Sequence, residues 1–373
     1  MNVAFYAPMK PPDAAVPSGD RQMARAIVAA LRLAGHQVEL AARLRSHDAA
    51  GNAARQIRLK GLGAALAARY ASQALCRPAA VQPQLWFTYH LYHKAPDWIG
   101  PRVADAVGIP YVVAEASFAP RRQADGPWRI GHAAVESALR RADAVIALNS
   151  ADVACVAPLV RGPGGLTLLP PFTDVTPFQA AAKTRSAGAA EPRLIAVGMM
   201  RTGDKLDSYR VLGAALALVR EVPWRLTVVG DGPARAAVQD ALRPVADRVR
   251  YLGEQKPEAL PALYAEADLC VWPAVREAYG LSLLEAQAAG TPVLAGAAGG
   301  VPDIVQDGVT GALAPEGDAA AFAAALRALL ADPARRAALG QAALARTATH
   351  HSLAAASRII DGVLAKAARR RAA

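Results

Sequence analysis

The chain has 373 residues, a length that suits two domains with a core each. Just over half of the residues are apolar, yet no apolar run reaches the roughly 18 to 20 residues of a membrane-spanning helix; the longest, 281–301, is broken by Glu285, Gln287 and Pro292. Three cysteines, Cys76, Cys155 and Cys270, lie too far apart for a zinc cluster and are odd in number for a disulfide framework, and the net charge of +11 favours anionic partners without bearing on the fold.

The chain begins Asn-Val-Ala-Phe-Tyr, which reads as a strand and lacks the basic segment and cleavage site of a secretory signal, so a cytosolic protein is expected. Strands follow at 3–6, 37–40, 85–88, 111–114, 144–147 and 167–169, with a helix over 18–34 that Ser18 caps and Gly35 stops. Between Arg43 and Arg77 stand Arg45, Arg55, Arg58, Lys60 and Arg69 against the single acid Asp48, with Leu59, Leu62 and Leu66 interleaved. This stretch reads equally as a basic amphipathic face for anionic lipid or as a solvated helix face. Small residues over 179–192 carry no strand signal and read as a linker. Strands resume at 194–197, 226–229, 249–252, 269–272 and 293–295, with helices over 208–220, 257–265 and 282–289 and three Ala-rich helices from about 318.

Strands alternating with helical segments predict an α/β protein with parallel sheets covered on both faces. The expected division is a first Rossmann-like domain over 1–178, a second over 193–350, and a terminal helix over 351–373 that can cross back to the first. Ligands of such sheets bind beyond the carboxyl ends of the strands, which places the expected site in a cleft between the domains.

Four loops carry candidate chemistry. In Glu277-Ala-Tyr-Gly-Leu-Ser-Leu-Leu-Glu285, Gly280 permits a sharp turn and the amides that follow suit a pyrophosphate, while Ser282 and Glu285 also fit a capping box. Gly198 to Lys205 offers Arg201 and Lys205, cations able to stabilise a leaving diphosphate in place of a metal, or two solvated loop side chains. Gly230-Asp-Gly232-Pro233 reads first as turn chemistry, with a ligand contact through Gly232 as the second reading. Gly299-Gly300 ahead of Pro302 is a tight turn or a close backbone approach to a ligand.

Taken with Tyr251-Leu-Gly, 260–268, Ala289-Gly-Thr-Pro-Val293, Gly299-Gly-Val-Pro-Asp303 and Asp307-Gly-Val-Thr-Gly311, these loops resemble in order and spacing the donor domain of family 4 (group 1) retaining glycosyltransferases over about 194–317. The resemblance implies a GT-B fold, two Rossmann-like domains facing each other across a cleft, with no cofactor and no metal. It implies that Glu277 holds the donor sugar and takes part in catalysis with Arg201 and Lys205. Glu285 then holds the ribose, Gly280 and Leu281 give amides to the diphosphate, and Tyr279, Gly198 and Gly232 line the donor. Arg201 and Lys205 stand four apart where the family has five. The first half matches loosely. Gly19 stands in place of a Gly-rich loop, where it approaches donor or acceptor or only turns the chain into its helix; Glu115 stands where a His is frequent, in an acceptor-side role or as a strand cap; His90 and His93 follow the third strand, facing the expected cleft or serving the structure.

The function implied is transfer, with retention, from a UDP- or GDP-sugar to a glycan or lipid-linked acceptor in surface polysaccharide synthesis, with peripheral contact to anionic membrane. The competing reading is a nucleotide-sugar-binding protein without turnover. A dinucleotide oxidoreductase lacks its Gly-x-Gly-x-x-Gly after 3–6, and a nucleic-acid binder is suggested by charge alone.

Overall fold

The computed structural model describes residues 1–373 except 17, 120–125, 151, 163, 186–190 and 373, and the side chain of 372. The chain divides into two compact units, Met1–Leu169 with Leu353–Ala373, and Pro170–Ser352.

The first unit is built on β1 (Asn2–Tyr6), β2 (Gln37–Ala42), β3 (Leu85–Leu91), β4 (Tyr111–Ala116), β5 (Ala144–Ala147) and β6 (Leu166–Leu168), in the order β2-β1-β3-β4-β5-β6 and parallel throughout. The interior strands are apolar runs because helices cover both faces; Phe5 stacks on Phe87 at 5.8 Å, and Trp86 and Tyr111 are fully buried. Helix Gly19–Leu33 begins as expected, with the Ser18 hydroxyl accepting from the Arg21 amide at 3.2 Å. Helix Leu353–Ala372 packs on it, and Asp361 reaches His36 at 3.3 Å. The strand order reverses direction between β1 and β3, which makes their carboxyl ends the place where such a sheet accepts a ligand.

The second unit contains β7 (Arg193–Val197), β8 (Arg225–Val229), β9 (Val249–Gly253), β10 (Leu269–Trp272), β11 (Val293–Gly296) and β12 (Gly311–Ala314), ordered β12-β11-β10-β7-β8-β9. This is the doubly wound dinucleotide-binding order, with its switch point between β7 and β10. Strand β12 has no counterpart in the sequence reading, because Gly-Ala-Leu-Ala after a turn offers no β-branched residue; it joins the edge by pairing in parallel with β11.

The boundary falls at 169/170, ahead of the expected 178. Val175 and Phe178 are buried in the second unit's core, and helix Thr176–Ala182 occupies the first part of the expected 179–192 linker. Arg185 ties the next turn down by donating to the carbonyl of Ala267 at 2.8 Å and to Thr291 Oγ1 at 3.1 Å; residues 186–190 of that span lie outside the described residues. His351 Nδ1 meets the Pro171 carbonyl at 2.6 Å, and burial holds its pKa down to about 4, so it stays neutral. The cysteines are free, and burial pushes the Cys270 thiol up to about 12, an unreactive core residue. Among the described residues no helix is long and apolar enough to cross a membrane.

Charge is divided unevenly. The first unit carries 24 Lys and Arg against 12 Asp and Glu, a net +12, and the second 18 against 19, a net −1.

Candidate functional site

At the switch point of the second unit, the loop after β7 and the loop after β10 meet. Lys205 Nζ lies 2.5 Å from Glu277 Oε2 and 5.3 Å from the centre of the Trp272 ring, and Trp272 Nε1 donates to the same carboxylate oxygen at 3.2 Å. Tyr209 packs edge-on against Trp272 and donates its hydroxyl to the Gly198 carbonyl at 2.9 Å. The indole is therefore fixed on one side by Tyr209 and on the other by Gly198, where a Cβ would come within 2.8 Å of the ring. Arg201 stands on the same loop, exposed, and forms no ion pair among the described residues.

Glycines shape the second loop from behind. A Cβ on Gly299 would approach the Glu277 carbonyl oxygen to 2.2 Å, and Gly299 has φ +48°, so both space and backbone angle demand glycine there. This accounts for the Gly299-Gly300 pair as a close backbone approach to the loop that carries Glu277. Gly232, φ +153°, packs against the Met200 carbonyl at 2.4 Å from a would-be Cβ, a backbone contact that holds the Arg201 loop.

Helix Leu281–Ala288 opens at Gly280, which adopts the left-handed conformation (φ 72°, ψ 40°), and no side chain caps it. The capping-box reading of Ser282 and Glu285 is thereby corrected: Ser282 lies inside the helix and Glu285 is buried, accepting from the Tyr264 hydroxyl at 3.4 Å. The amides of the first turn are thus not taken up by a side chain at the positive end of the helix, while Leu281 is half-buried and Tyr279 half-buried just ahead of the turn.

Arg276 is the residue that sequence reasoning missed. Its guanidinium meets Asp204 and Asp207 at 2.5 Å each, and its amide donates to Glu316 at 2.7 Å, while Val275 N donates to Ser208 Oγ at 2.9 Å. These contacts strap the Glu277 loop to the helix Asp204–Ala217 and hold Ala274 and Arg276 at positive φ, 54° and 47°, a strained conformation of the kind found at ligand sites. The Arg276 hydrogen bond lowers the pKa of Asp207 below the usual carboxylate range.

In the first unit, the switch point between β1 and β3 brings together three of the expected residues. His90 Nδ1 lies 3.4 Å from Asp20 Oδ1 and 3.8 Å from Glu115 Oε2, next to Gly19 at the start of its helix. His90 and Glu115 both have positive φ, 65° and 56°. Burial pushes the His90 pKa down, but Glu115 and Asp20 outweigh it and the net direction is up; the same contact lowers Asp20. His93 packs against Tyr92 at 5.4 Å and Trp128 at 5.7 Å. Among the described residues no group of three or more His, Cys, Asp or Glu stands ready to hold a metal ion.

Comparison with known proteins finds a family match within the second unit. The family described as Glycosyl transferases group 1 matches residues 191–332. The D-inositol 3-phosphate glycosyltransferase of Nocardia farcinica is 38% identical over 199 residues, 49% of this chain and 44% of the relative, and that of Geodermatophilus obscurus is 34% identical over 213 residues, 52% and 47%. The chain spans less than half the length of these curated relatives. Among solved structures, sucrose-phosphate synthase from Thermosynechococcus elongatus matches with a TM-score of 0.70 and 23% identity over 98% of both chains. Anabaena HepE in complex with UDP and glucose matches with 0.67 and 18%, covering 97% of this chain and 99% of that one. At this identity the likeness concerns the fold, GT-B, with two Rossmann-like domains.

Proposed function

We propose, from the match of residues 191–332 to the group 1 glycosyl transferases, that this chain transfers a sugar from a nucleotide-sugar donor, a UDP- or GDP-sugar, to an acceptor hydroxyl with retention and without a metal. The observation that carries the reading is the Lys205–Glu277 pair at the switch point, set beside the uncapped helix start at Gly280.

The donor diphosphate meets the Leu281 amide and the helix start at Gly280, with Arg201 and Lys205 supplying positive charge where charge develops on the leaving group. Lys205 then turns from Glu277 to phosphate, and Glu277 is released to accept from sugar hydroxyls. Glu285 receives the ribose, and Tyr279, Gly198 and Gly232 line the donor. As the anomeric C–O bond breaks, its electron pair passes to the diphosphate oxygen; the acceptor oxygen bonds the same carbon on the same face and its proton goes to the departing diphosphate. Preorganised positive charge rather than a protein nucleophile lowers the barrier. No cofactor enters the reaction.

The acceptor is a glycan or a lipid-linked carrier of a surface polysaccharide, bound by the first unit through Gly19, Asp20, His90 and Glu115. The enzyme works in the cytosol, with the basic face of helix Ala53–Leu75 toward anionic membrane. UDP in the HepE structure and the phosphorylated inositol in the curated names support a nucleotide donor and a polyol acceptor. A thermal-shift series with UDP-, GDP- and ADP-sugars tests this, because a ligand that binds only the folded state raises its stability. The reading expects a shift that survives EDTA and is lost in Lys205→Ala. No shift with any donor sinks it, and a shift without turnover over a panel of glycan acceptors favours a binding protein.

A further inference from the structure

An open hollow of about 710 Å³ in the first unit takes no part in the chemistry above. Arg45, His47, Asn52, Arg55 and Arg58 line it, with Asp48 as its one acid. Elsewhere in this unit Arg43 ends on Asp13 at 2.6 Å, Arg77 on Glu39 at 2.8 Å and Arg141 on Asp105 at 2.6 Å. Arg45, Arg55, Arg58 and the neighbouring Lys94 form no ion pair among the described residues.

Asp48 offsets one of these charges and leaves the cations in excess. It is buried and already engaged, one carboxylate oxygen accepting from the Ala50 amide at 3.3 Å and the other from Gln56 Nε2 at 3.2 Å. The wall is also held firmly. Ser46 N donates to the Pro8 carbonyl at 2.9 Å and Ser46 Oγ to that of Pro96 at 2.7 Å; Asp48 N donates to the Lys94 carbonyl and Trp128 Nε1 to that of Asp48, each at 2.8 Å. Those bonds anchor the hollow to the loops after β1 and β3, the same switch point that holds His90. Burial first, then Arg45 and Lys94, lower the His47 pKa against an opposing pull from Asp48. Aromatic rings continue the surface, with His47 stacked 6.5 Å from Tyr92 and Lys94 over Trp128 at 4.7 Å.

Cations in excess on a fixed frame call for an anion, and arginine forks match phosphate oxygens two at a time. We propose that this hollow is a phosphate subsite for the acceptor, so that the substrate accepting the sugar carries a phosphomonoester or diphosphate held by Arg45, His47, Arg55 and Arg58. This rests on the transfer reading for the word acceptor, while the phosphate site stands on its own geometry. The same phosphate can belong to a soluble sugar phosphate or to a lipid carrier's headgroup.

The test is calorimetric titration of the full chain with inorganic phosphate in the Arg201→Ala/Lys205→Ala background, which removes the donor-side cations. Saturable binding is expected there, weakened about ten-fold or more by adding Arg55→Gln/Arg58→Gln, and unchanged by the exposed control pair Arg32→Gln/Arg102→Gln. Circular dichroism confirms that the variants remain folded. Absence of saturable binding overturns the proposal, as does retention in Arg55→Gln/Arg58→Gln or an equal loss in the control pair. Co-sedimentation with phosphatidylcholine vesicles containing phosphatidic acid, lost in Arg55→Gln/Arg58→Gln, assigns the phosphate to lipid; no co-sedimentation with phosphate binding retained assigns it to a soluble acceptor. Loss of the donor thermal shift would leave this result standing, so the two readings fail separately.

Discussion

The two units share an architecture and differ in how they use charge. In the second, net −1, Lys205 is paired to Glu277 and Arg276 is strapped to Asp204 and Asp207, with Arg201 left exposed. In the first, net +12, the cations around a fixed hollow outnumber its one carboxylate, Asp48, and form no ion pair among the described residues. A neutral, tightly wired unit suits a ligand that brings its own charge to a few prepared groups. A basic unit with open cations suits capture of an anion, and its long-range field speeds that encounter.

The contrast is broken most forcefully at Glu277 and Lys205. Glu277→Gln or Lys205→Ala is expected to lower transfer about 10²- to 10³-fold, the usual cost of one preorganised electrostatic partner, read as nucleotide release in a coupled assay. Activity within a few-fold of the parent would remove both from the reaction. Next in size is Gly299→Ala, which drives a methyl into the Glu277 carbonyl at a positive φ and is expected to cost about 1–3 kcal/mol by chemical denaturation, where Gly19→Ala, with nothing within 4 Å, is close to neutral. Equal effects at the two glycines would show that the loop behind Glu277 is not tightly built.

Arg276→Met sharpens the comparison on the donor side alone. Its strap positions the Glu277 loop, so the expected result is a several-fold rise in the KM for donor with kcat less affected, restored in part by Arg276→Lys. The smallest effect is a pH dependence in the first unit. His90 has a raised pKa in the folded state, so its contribution is complete below the ordinary value of 6.5 and fades as pH rises through the raised one. Asp20, lowered by His90, contributes above its ordinary 3.8 and loses that as pH falls through the lowered value. Denaturation of His90→Asn across pH 5 to 8 is expected to flatten the upper limb only; an unchanged limb would separate His90 from Asp20 and Glu115.

How much of this was legible in the sequence follows the same division. Strand and helix alternation, the Ser18 cap and the β7 and β10 loops were readable because each is a local pattern of branched, small or capping residues. Strand β12 and the helix start at Asp204, four residues before the expected 208, were not, since Gly-Ala-Leu-Ala and Gly-Asp-Lys look like turns until neighbouring strands and Arg276 engage them. The Arg276 strap joins residues 72, 69 and 40 positions apart, beyond any local signal. His90 and Glu115 were named without a partner, because only the carboxyl ends of adjacent strands bring Asp20 to them. The hollow appeared as a basic stretch; only the structure shows which of its cations line one surface and that its one acid is buried.

The most direct test of this division of labour is calorimetric titration of UDP and GDP into the parent chain, Lys205→Ala and Arg55→Gln/Arg58→Gln. The account predicts that one of these nucleotides binds the parent, binds Lys205→Ala at least ten-fold more weakly, and binds Arg55→Gln/Arg58→Gln unchanged. Binding that follows the Arg55 and Arg58 pair and ignores Lys205 would place the nucleotide in the first unit and contradict it.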